Sequence, residues 1–554
     1  MPWTYIDVLS YSRIASSVFC LIWYFAMVAA GYIGFVEIMW KFKSRPKLDK
    51  DDSRKEYEGV TILRPIKGID PELLSCLESS FCQDYPHNKL QILFCVDDPS
   101  DASIPLIKKL ISKYPTIDSE ILISTNFNTQ TNRSDDHYGP NPKVNNLAKG
   151  FVSSKYDILW VMDSNVWAAS NLLKNSVKTL NENLNNGRKQ ADDAKRTVKL
   201  VHHVPLALSI NPSNNKDDNE YVLTPIQSDD DDSEALLSSG SSRKVNSSAS
   251  SSSTITSGST TYDDSTVGTS ASSKAPIKTR KRFLKKFGAK LDEMFLHTSH
   301  SKFYVSLNNL ELGPCVNGKS NMYRKSDLDR AVSLIPKFQN TSPFFHTPSV
   351  VRDAQYYSSL GPGHSIKFFS RYIGEDNMIG IALWENINGK TGLTGDVVIQ
   401  PLSGVDNDVS DYIKRRVRWQ RVRKYMVLMA TLIEPTTESL VCGIFGIYAI
   451  STLFLNQWFS GWLFLLHLTI WMLIDYVQYY TLIKHVVTPV NLDYLPSWLE
   501  NIPPVNRSFL SWLYIWILRE LLALPIWIIA MMGHEIDWRG KPFKIKHDLT
   551  AEEL

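Results

Sequence analysis

Two long stretches without charged side chains constrain this chain more than any other feature of its sequence. Residues 14–36 form an uncharged run of 23, enough for a helix to cross a hydrocarbon layer of about 30 Å. Residues 439–474 form an uncharged run of 36, and a single helix of that length would measure about 54 Å, too long for one crossing. Polar Asn456 and Gln457 lie near its middle. The pattern therefore predicts one membrane helix near the N-terminus and two later ones, over about 439–455 and 458–480.

The basic residues beside the first stretch predict how the chain is oriented. Lys41, Lys43, Arg45 and Lys47 follow it, so the positive-inside rule places the N-terminus in the lumen and the chain after Lys41 in the cytosol. We interpret residues 1–47 as a lumenal N-terminus, an uncleaved signal-anchor helix and a basic cytosolic flank.

A third apolar stretch, residues 512–532, is interrupted by Arg519, Glu520 and Pro525. An ion pair in a membrane helix usually faces protein or water, so the sequence allows this stretch to span, to re-enter or to lie in the interface. The C-terminal membrane region is predicted over 431–535 and a basic tail over 536–554. The charge of the tail favours the cytosol, whereas four full crossings would place it in the lumen, and both alternatives stay open.

Residues 48–430 form a long polar region between the membrane segments. Within it, residues 208–275 are rich in Ser, Thr, Asp and Asn, a composition that cannot bury enough apolar surface to offset chain entropy. We predict a disordered insert there. Elsewhere short apolar runs, such as GVTILRP, LQILFCV and DILWVMD, alternate with amphipathic segments. This alternation predicts an α/β domain with a mostly parallel sheet and helices on both faces.

Acidic side chains lie at the ends of two predicted strands and in one later segment. Asp97 and Asp98 come directly after LQILFCV, Asp163 ends DILWVMD, and Asp376 belongs to YIGEDNM. Ligands of such sheets bind beyond the carboxyl ends of the strands. A single aspartate there could simply cap the next helix. Several of them together with a basic cluster indicate a divalent cation and a phosphate.

That basic cluster is DYIKRRVRWQRVRKYM, residues 411–426, which contains seven of the 60 Lys and Arg residues. The 57 acidic residues nearly balance the total, which argues against nucleic acid as a partner. Arg415 and Arg418, facing a metal–carboxylate site, would hold a nucleotide diphosphate. We interpret Arg421, Arg423 and Lys424 as markers of the cytosolic side of the next membrane helix.

Three further side chains are candidates for the nucleotide-sugar site. Lys143 and Asn146 lie where a short helix is predicted to begin and could reach a phosphate or a sugar hydroxyl, although a solvated lysine is an equal alternative. His202 and His203 end a predicted strand and point to opposite faces, so that one packs and the other lines the cleft. Without a third ligand at metal spacing they do not predict a zinc site.

The order of these motifs resembles a known family. RPIKGID, the aspartates of CVDDPSD, WVMDSNV and GEDNM, and then RRVRW follow the D, D, D, (Q/R)xxRW pattern of the inverting GT-A glycosyltransferases related to family two. More narrowly, NPKVNNLAKGFVSSKYDILWVMDS, LVHHVP, FLHTSHSKFYVS and WRGKPFKIK look like segments of the ceramide glucosyltransferases. The resemblance covers nearly the whole chain except the Ser-rich insert.

The resemblance implies a reaction and a place. Glucose would pass from UDP-glucose to the primary hydroxyl of ceramide with inversion, giving β-glucosylceramide. The enzyme would be a multi-pass protein of the Golgi membrane, or of the endoplasmic reticulum, with its catalytic domain in the cytosol.

The resemblance also implies a role for each site residue. Asp98, alone or together with Asp97, would bind the uridine of UDP-glucose, Asp163 would hold Mn²⁺ or Mg²⁺, and Asp376 would be the general base. It also implies that His202 lies near the UDP. The diphosphate and the acceptor would be bordered by Arg415, Arg418 and Trp419. The chain departs from the common D-x-D pattern because Asn165 takes the place of the second carboxylate.

Other functions remain open on the sequence. A processive polysaccharide synthase shares the aspartates and the RW motif but needs enough membrane helices to form a sugar channel. A lipid-phosphate glycosyltransferase also has a lipid acceptor. A non-catalytic membrane scaffold would use the aspartates only as helix caps.

Overall fold

The apolar runs of the sequence form the strands of one mixed sheet. Its eight strands are β1 (Val60–Ile66), β2 (Leu90–Val96), β3 (Asp118–Ile123), β4 (Ile158–Met162), β5 (Trp167–Ala168), β6 (Thr197–Ile210), β7 (Ser320–Arg324) and β8 (Gly389–Ser403). In this computed structural model they lie in the order β3-β2-β1-β4-β7-β6-β8-β5. A separate three-stranded sheet near the C-terminus consists of β9 (Glu535–Trp538), β10 (Lys541–Ile545) and β11 (Ala551–Glu553).

The structure describes residues 5–44, 56–128, 134–182, 196–210, 287–487, 495–500, 508–538, 541–546 and 549–554. All of them belong to one compact unit. The insert predicted over 208–275 lies outside the described residues from 211 onward, and its first three residues complete β6.

Helices connect the strands and extend beyond them at both ends of the chain. In chain order they are α1 (Tyr5–Lys41), α2 (Leu73–Glu78), α3 (Ile104–Lys113), α4 (Pro142–Ser153), α5 (Leu172–Leu180), α6 (Gly288–Phe295), α7 (Ser301–Asn309), α8 (Lys325–Ser333), α9 (Ile335–Phe338), α10 (Pro348–Ser359), α11 (Glu375–Asn386), α12 (Val409–Met426), α13 (Leu428–Ile433), α14 (Ser439–Phe454), α15 (Gly461–Val487), α16 (Ser497–Glu500) and α17 (Phe509–Met532). A π-helical turn, Leu296–His300, joins α6 to α7.

The sheet is parallel on one side and mixed on the other. β1 pairs in parallel with β2 and β4, and β2 pairs in parallel with β3. β7 then lies antiparallel between β4 and β6, β5 is antiparallel to β8, and β6 is parallel to β8. The prediction of a mostly parallel sheet therefore describes the first four strands better than the rest. A buried antiparallel strand has the same apolar composition as a parallel one, so composition could not distinguish them.

Helices cover both faces of the sheet. Ile62 of β1 belongs to a buried cluster with Leu77 of α2 and Ile107 of α3, whereas the next residue, Leu63, packs in a cluster with Leu147 of α4. Successive side chains of a strand point to opposite faces, so these clusters are the two cores of an α/β domain.

Three helices in the described residues are long and apolar enough to cross a membrane, over Tyr11–Lys41, Gly461–Val486 and Phe509–Met532. Leu428–Thr437 and Ser439–Phe454 pass the same test only as a pair, with a bend of 77° between them. Together with the α/β domain, these helices at both ends of the chain confirm the predicted fold class.

The membrane helices pack against one another along α1. At one end of α1, Arg13 donates a hydrogen bond to the carbonyl of Gln457, in the turn between α14 and α15. Near the other end, the carbonyl of Phe42 is hydrogen-bonded to His485 at 2.9 Å. The helix α15 therefore runs the full length of α1, from the side of Arg13 to the side of the catalytic domain.

A fully buried arginine joins the sheet to the loop after β4. Arg64 lies in β1 with 0% exposure, and its guanidinium donates to the carbonyls of Asp163, Val166 and Cys76 at 2.7, 2.9 and 2.7 Å. It also donates to the hydroxyls of Ser79 and Ser80. Since buried polar groups must be paired, this one side chain holds α2 and the Asp163 backbone in place.

We expect Arg64→Met to destabilise the protein by about 3 kcal/mol or more, because it leaves several buried carbonyls without donors. The measurement is the unfolding midpoint in detergent, followed by tryptophan fluorescence. Arg330→Met, at an exposed position in α8, is the control and should change stability by no more than about 0.5 kcal/mol. Equal midpoints for the two variants would contradict this role of Arg64.

Candidate active site

Asp163 lies at the carboxyl end of β4 between two lysines. Its Oδ1 is 2.8 Å from Nζ of Lys143, and its Oδ2 is 3.1 Å from Nζ of Lys319. Burial disfavours the charged carboxylate, but the two ammonium groups outweigh that effect and lower the pKa of Asp163 to about 2. The carboxylate is therefore ionised throughout the physiological range.

The antiparallel pairing of β4 with β7 places Lys319 beside Asp163. Met162 is opposite Ser320, and the backbone N–H of Asp163 donates to the carbonyl of Lys319 at 3.1 Å. The side-chain oxygen of Asn165 accepts a hydrogen bond from Lys319 at 3.3 Å. Asn165, at the position of the second carboxylate in D-x-D, thus helps to orient a lysine.

Lys143 is held by the first turn of α4 and reaches three elements. The side chain of Asn141 caps this helix by accepting from the N–H groups of Lys143 and Val144. The ammonium of Lys143 contacts Glu375 Oε1 at 3.1 Å and the carbonyl of Gly318 at 2.8 Å. Burial would lower its pKa, but the charges of Asp163 and Glu375 outweigh burial and raise the pKa of Lys143 above its ordinary range.

Asp376 lies in the first turn of α11, close to this lysine. A Cβ atom added to Gly318 would be 3.2 Å from Lys143 Nζ and 3.3 Å from Asp376 Oδ2, so a bare backbone separates the two side chains. Burial and the charge of Glu375 raise the pKa of Asp376 to about 7. A carboxylate with that pKa can accept a proton near neutral pH, as a general base must.

Lys143, Glu375 and Asp376 line one pocket together with Asn321 and Tyr323 of β7. The sheet thus brings together Lys143, Asp163 and Asp376, which the sequence places in three separate motifs.

The first pair of predicted aspartates lies at the end of β2. Asp97 accepts hydrogen bonds from Ser124 at 2.8 Å and Ser134 at 3.0 Å, whereas Asp98 accepts from the N–H and hydroxyl of Ser100 in a turn. β1 separates β2 from β4, so at a strand spacing of about 4.8 Å the ends carrying Asp97 and Asp163 are about 10 Å apart. That separation suits the two ends of an extended ligand.

Two of the predicted contacts are buried beneath the site. Asn146 donates both amide hydrogens to backbone carbonyls, of Ile66 at 3.1 Å and Cys95 at 2.7 Å, so it ties β1 to β2 and has no donor left for a phosphate. His202 is fully buried; its Nδ1 is hydrogen-bonded to Tyr304, and burial lowers its pKa to about 3. Its neighbour His203 is also buried. Both histidines are therefore packed, whereas one of them was expected to line the cleft.

The predicted arginines lie on α12, which begins with a capping box formed by Asp408 and Asp411. Arg415 is 3.2 Å from Asp292 of α6, and burial raises the pKa of Asp292 to about 6 although Arg415 opposes this. Arg418 and Trp419 are half-buried. The guanidinium of Arg416 lies 3.5 Å from the centre of the Phe295 ring and pairs with Glu434.

The last basic residues of α12 serve a purpose that the sequence did not reveal. Lys424 donates to the carbonyls of Met531 and Gly533 at 3.2 and 2.8 Å, and Arg421 donates to the carbonyl of Ile529 at 3.2 Å. They bind the free carbonyls at the C-terminal end of α17, where cations are favoured. Arg423 pairs instead with the carboxylate of Glu434. Their interpretation as simple topology markers was incomplete.

Sequence reasoning missed Lys319, Asn141 and Asp292. Asn141 had a usable signal, because Asn followed by Pro marks the start of a helix. Lys319 and Asp292 had none, since each reaches the site through a partner more than 100 residues away in the chain.

Comparison with known proteins identifies the family. A sequence profile of glycosyl transferase family 21 matches residues 21–186 and 363–551. The chain belongs to glycosyl transferase family 21. It is 61% identical to the ceramide glucosyltransferase of Candida albicans over 99% of both chains. Identity is 44% with that of Komagataella phaffii, over 97% of this chain and 92% of the relative, and 32% with that of Gibberella zeae, over 94% and 90%. The resemblance predicted from the motifs is confirmed.

A divalent cation of this family 21 enzyme would have few protein ligands. No group of three or more His, Cys, Asp or Glu residues placed to hold a metal occurs in the described part of the chain. Asp163, with its side chain 24% exposed, is one permanently ionised carboxylate at the mouth of the site. Its two oxygens are paired with the ammonium groups of Lys143 and Lys319, so a cation would have to displace at least one of them. With that displacement, the single carboxylate fits Mg²⁺ or Mn²⁺ held largely by phosphate oxygens, because Mg²⁺ often takes only one or two protein carboxylates beside a phosphate ligand.

We expect Lys143→Met to raise the pKa of Asp376 above 7, since the lysine charge favours its ionised form. In the wild type the rate of sugar transfer should fall as the pH drops through about 7, where Asp376 gains a proton. In the variant this fall should begin at a higher pH. The pH profile of kcat/KM measures both.

Lys149→Met is the matched control, since Lys149 lies on the same helix, is similarly buried, and pairs with Asp136. Its profile should keep the wild-type midpoint. An unchanged midpoint in Lys143→Met, or a shift to lower pH, would contradict the coupling of Lys143 to Asp376.

Proposed function

We propose that this chain transfers glucose from UDP-glucose to the primary hydroxyl of ceramide, with inversion, to form β-glucosylceramide. The observation that carries the proposal is Asp376, a carboxyl group with a pKa of about 7, beside the ionised Asp163 at the carboxyl ends of the strands. The identity of 61% with a protein named ceramide glucosyltransferase, over nearly the whole chain, supports glucose and ceramide as the substrates.

The donor would lie across the carboxyl ends of the parallel strands. Asp97 or Asp98 would bind the uridine end, and Lys143, Arg415 and Arg418 would approach the phosphates. Lys143 is suited to this because it is a cation held between Asp163 and Glu375. Trp419, on the same helix as the arginines, would border the acceptor.

Asp376 would act as the base in a direct displacement. Its carboxylate takes the proton from the primary hydroxyl of ceramide as the hydroxyl oxygen bonds to the anomeric carbon. The bond between that carbon and the phosphate oxygen breaks, and UDP leaves with the electron pair. Attack from the face opposite the leaving group inverts the configuration from α to β.

Charge builds on the diphosphate as this bond breaks. The cations Lys143, Lys319 and Arg415 surround the region where the charge would develop, and preorganised cations of this kind stabilise a transition state more than a ground state. A divalent cation bound at Asp163 would supply further positive charge to the leaving oxygens.

The membrane position suits a lipid acceptor. Helices long and apolar enough to cross a membrane flank the domain, so ceramide could present its hydroxyl to the domain while its chains stay in the bilayer. We infer that the domain faces the cytosol, from the basic residues that follow α1, and that the protein resides in the Golgi membrane or the endoplasmic reticulum.

We expect the purified protein to form β-glucosylceramide from UDP-glucose and ceramide, and to prefer UDP-glucose to UDP-galactose. Asp376→Asn should lower kcat by about 10² to 10⁴-fold because it loses the base. Product analysis by mass spectrometry and the anomeric proton coupling in NMR are the measurements. Glu385→Gln, the same carboxyl-to-amide change at a half-buried position later in α11, keeps an acceptor for Ser342; as the control it should retain the wild-type unfolding midpoint and activity.

Each other outcome has a definite meaning. A growing glycan without ceramide would indicate a polysaccharide synthase. A glycosylated lipid phosphate would keep the site and replace the acceptor. An α-linked product would overturn direct displacement, and wild-type activity in Asp376→Asn would remove this residue as the base.

We expect Asp163→Asn to lower kcat/KM by about 10²-fold or more and to abolish its dependence on added Mg²⁺ or Mn²⁺, since the cation loses its carboxylate ligand. Titration of metal-stripped enzyme with each cation is the measurement. Asp157→Asn, at the start of the same strand and paired with Ser326, should keep the wild-type response to metal. A metal response that survives in Asp163→Asn would place the cation elsewhere.

A further inference from the structure

We propose that α17 does not cross the membrane but lies along the leaflet on the side of the catalytic domain, with its outer apolar face against lipid acyl chains. This helix is apolar and long enough to cross, since 24 residues measure about 36 Å. A crossing helix would separate its two ends by the whole hydrocarbon layer of about 30 Å. The contacts at each end therefore distinguish the two arrangements.

The segment before α17 is docked on the catalytic domain. Trp498 of α16 donates its indole N–H to the hydroxyl of Ser75 in α2 at 2.9 Å. Its ring packs edge-on against Trp167 of β5 at 6.4 Å, and only 5% of the residue is exposed. The described residues just before α17 are therefore held against the catalytic domain.

The first turns of α17 stay near that side. Phe509 and Trp512 pack on Tyr476, in the half of α15 that ends beside Phe42 and the basic flank of α1. Tyr514 packs against Phe287, the residue before α6 of the catalytic domain, with ring centres 5.6 Å apart. The helix thus begins beside the middle of α15, in the half nearer to the catalytic domain.

The last turn of α17 is on the same side. Its carbonyls, and that of Gly533, accept from Lys424 and Arg421 of α12, the helix that carries Arg415 and Arg418. The tail that follows forms β9–β11, in which Phe543 packs with Ile373 and Tyr425, and Thr550 bridges to Tyr372. Both ends of α17 are therefore attached to the catalytic domain.

One face of α17 is bound to protein and the other is not. Arg519 and Glu520 are 1% and 4% exposed, and Arg519 pairs with Glu438 at 2.7 Å, just before α14. On the opposite side is a stripe of apolar side chains at helical spacing, each at least 41% exposed. The stripe consists of Leu510, Ile517, Leu521, Leu524, Ile528 and Met532, and Tyr514 lies at its edge, where its ring also packs against Phe287.

Acyl chains of one leaflet are the partner that fits this stripe. The stripe runs along the whole length of α17 and contains no charged residue. The two charged residues of the helix, Arg519 and Glu520, point toward protein. The inward face is also largely apolar, with Trp512, Ile526 and Ala530 buried against protein. The protein contacts at its two ends, and not a polar face, therefore hold α17 in one leaflet.

This arrangement removes the conflict over the basic tail. α15 returns from the turn at Gln457, beside Arg13, to the catalytic side. With α17 in the leaflet, the chain does not cross again, and the tail remains with the catalytic domain.

Cysteine labelling in sealed membrane vesicles tests the proposal. Ser508→Cys before α17, Glu552→Cys in the tail, and Gln457→Cys in the α14–α15 turn are each treated with a membrane-impermeant maleimide, with and without detergent. Mass spectrometry of the labelled peptides separates these sites from the six native cysteines. We expect residues 508 and 552 to be labelled alike and residue 457 to show the opposite response to detergent, by at least about tenfold.

A response of residue 508 that matches residue 457 and differs from residue 552 would show that α17 crosses, and would overturn the proposal. So would opposite responses of 508 and 552 in any other combination. Ser497→Cys, a conservative change in α16, replaces Ser508→Cys if that variant does not elute as folded protein.

Spin labels along the stripe supply a second measurement. Leu510→Cys, Leu521→Cys and Met532→Cys are labelled in reconstituted lipid, and depth is read from collisions with oxygen and a water-soluble nickel complex. An in-plane helix should give three depths that agree within about 5 Å. A crossing helix would place residue 521 about 16 Å deeper than residue 510, and that result would exclude the in-plane arrangement.

Discussion

The active-site architecture depends on the ammonium group of Lys143. It contacts Asp163 after β4, Glu375 at the start of α11 and the carbonyl of Gly318 before β7. Without this cation, several carboxyl groups would be confined in a partly buried space, and like charges there repel strongly. The lysine lets Asp163 remain ionised, while the greater effects of burial and Glu375 raise the pKa of Asp376 to about 7. Asp163 and Asp376 therefore differ widely in pKa although both lie close to Lys143.

The sequence was sufficient to predict those candidate site residues that directly follow a strand. Asp163 and Asp97 follow apolar runs, and parallel strands linked by helices bring such ends to one edge. It was insufficient to predict residues that reach the site through pairing between strands distant in the chain. Lys319 reaches Asp163 only because β7 lies antiparallel to β4, and no periodicity in the sequence reveals that insertion. Asn146 illustrates a different limit, since its polar side chain gave no sign that backbone carbonyls would use both donors.

α12 joins the chemistry to the membrane part of the protein. Its residues Arg415 and Arg418 belong to the site motif, whereas Lys424 and Arg421 hold the end of α17. Arg416, between them, packs on Phe295 and pairs with Glu434. Basic residues that look like one cluster in the sequence therefore divide among three tasks according to the face of the helix. A positional change of α17 would be transmitted to Arg415 and Arg418, the proposed phosphate contacts, through a single helix of 18 residues.

A helix embedded in one leaflet also acts on the bilayer. At a length of about 36 Å and a width of about 10 Å, α17 would occupy roughly 360 Å² of that leaflet and none of the other. The difference in area is accommodated where the membrane is convex on the side of the catalytic domain, because the leaflet on the convex side has more area available. Strongly curved regions, such as vesicle rims and tubule walls, would accommodate the protein at a lower elastic cost than flat membrane. Its lateral distribution would then follow membrane shape as well as lipid composition.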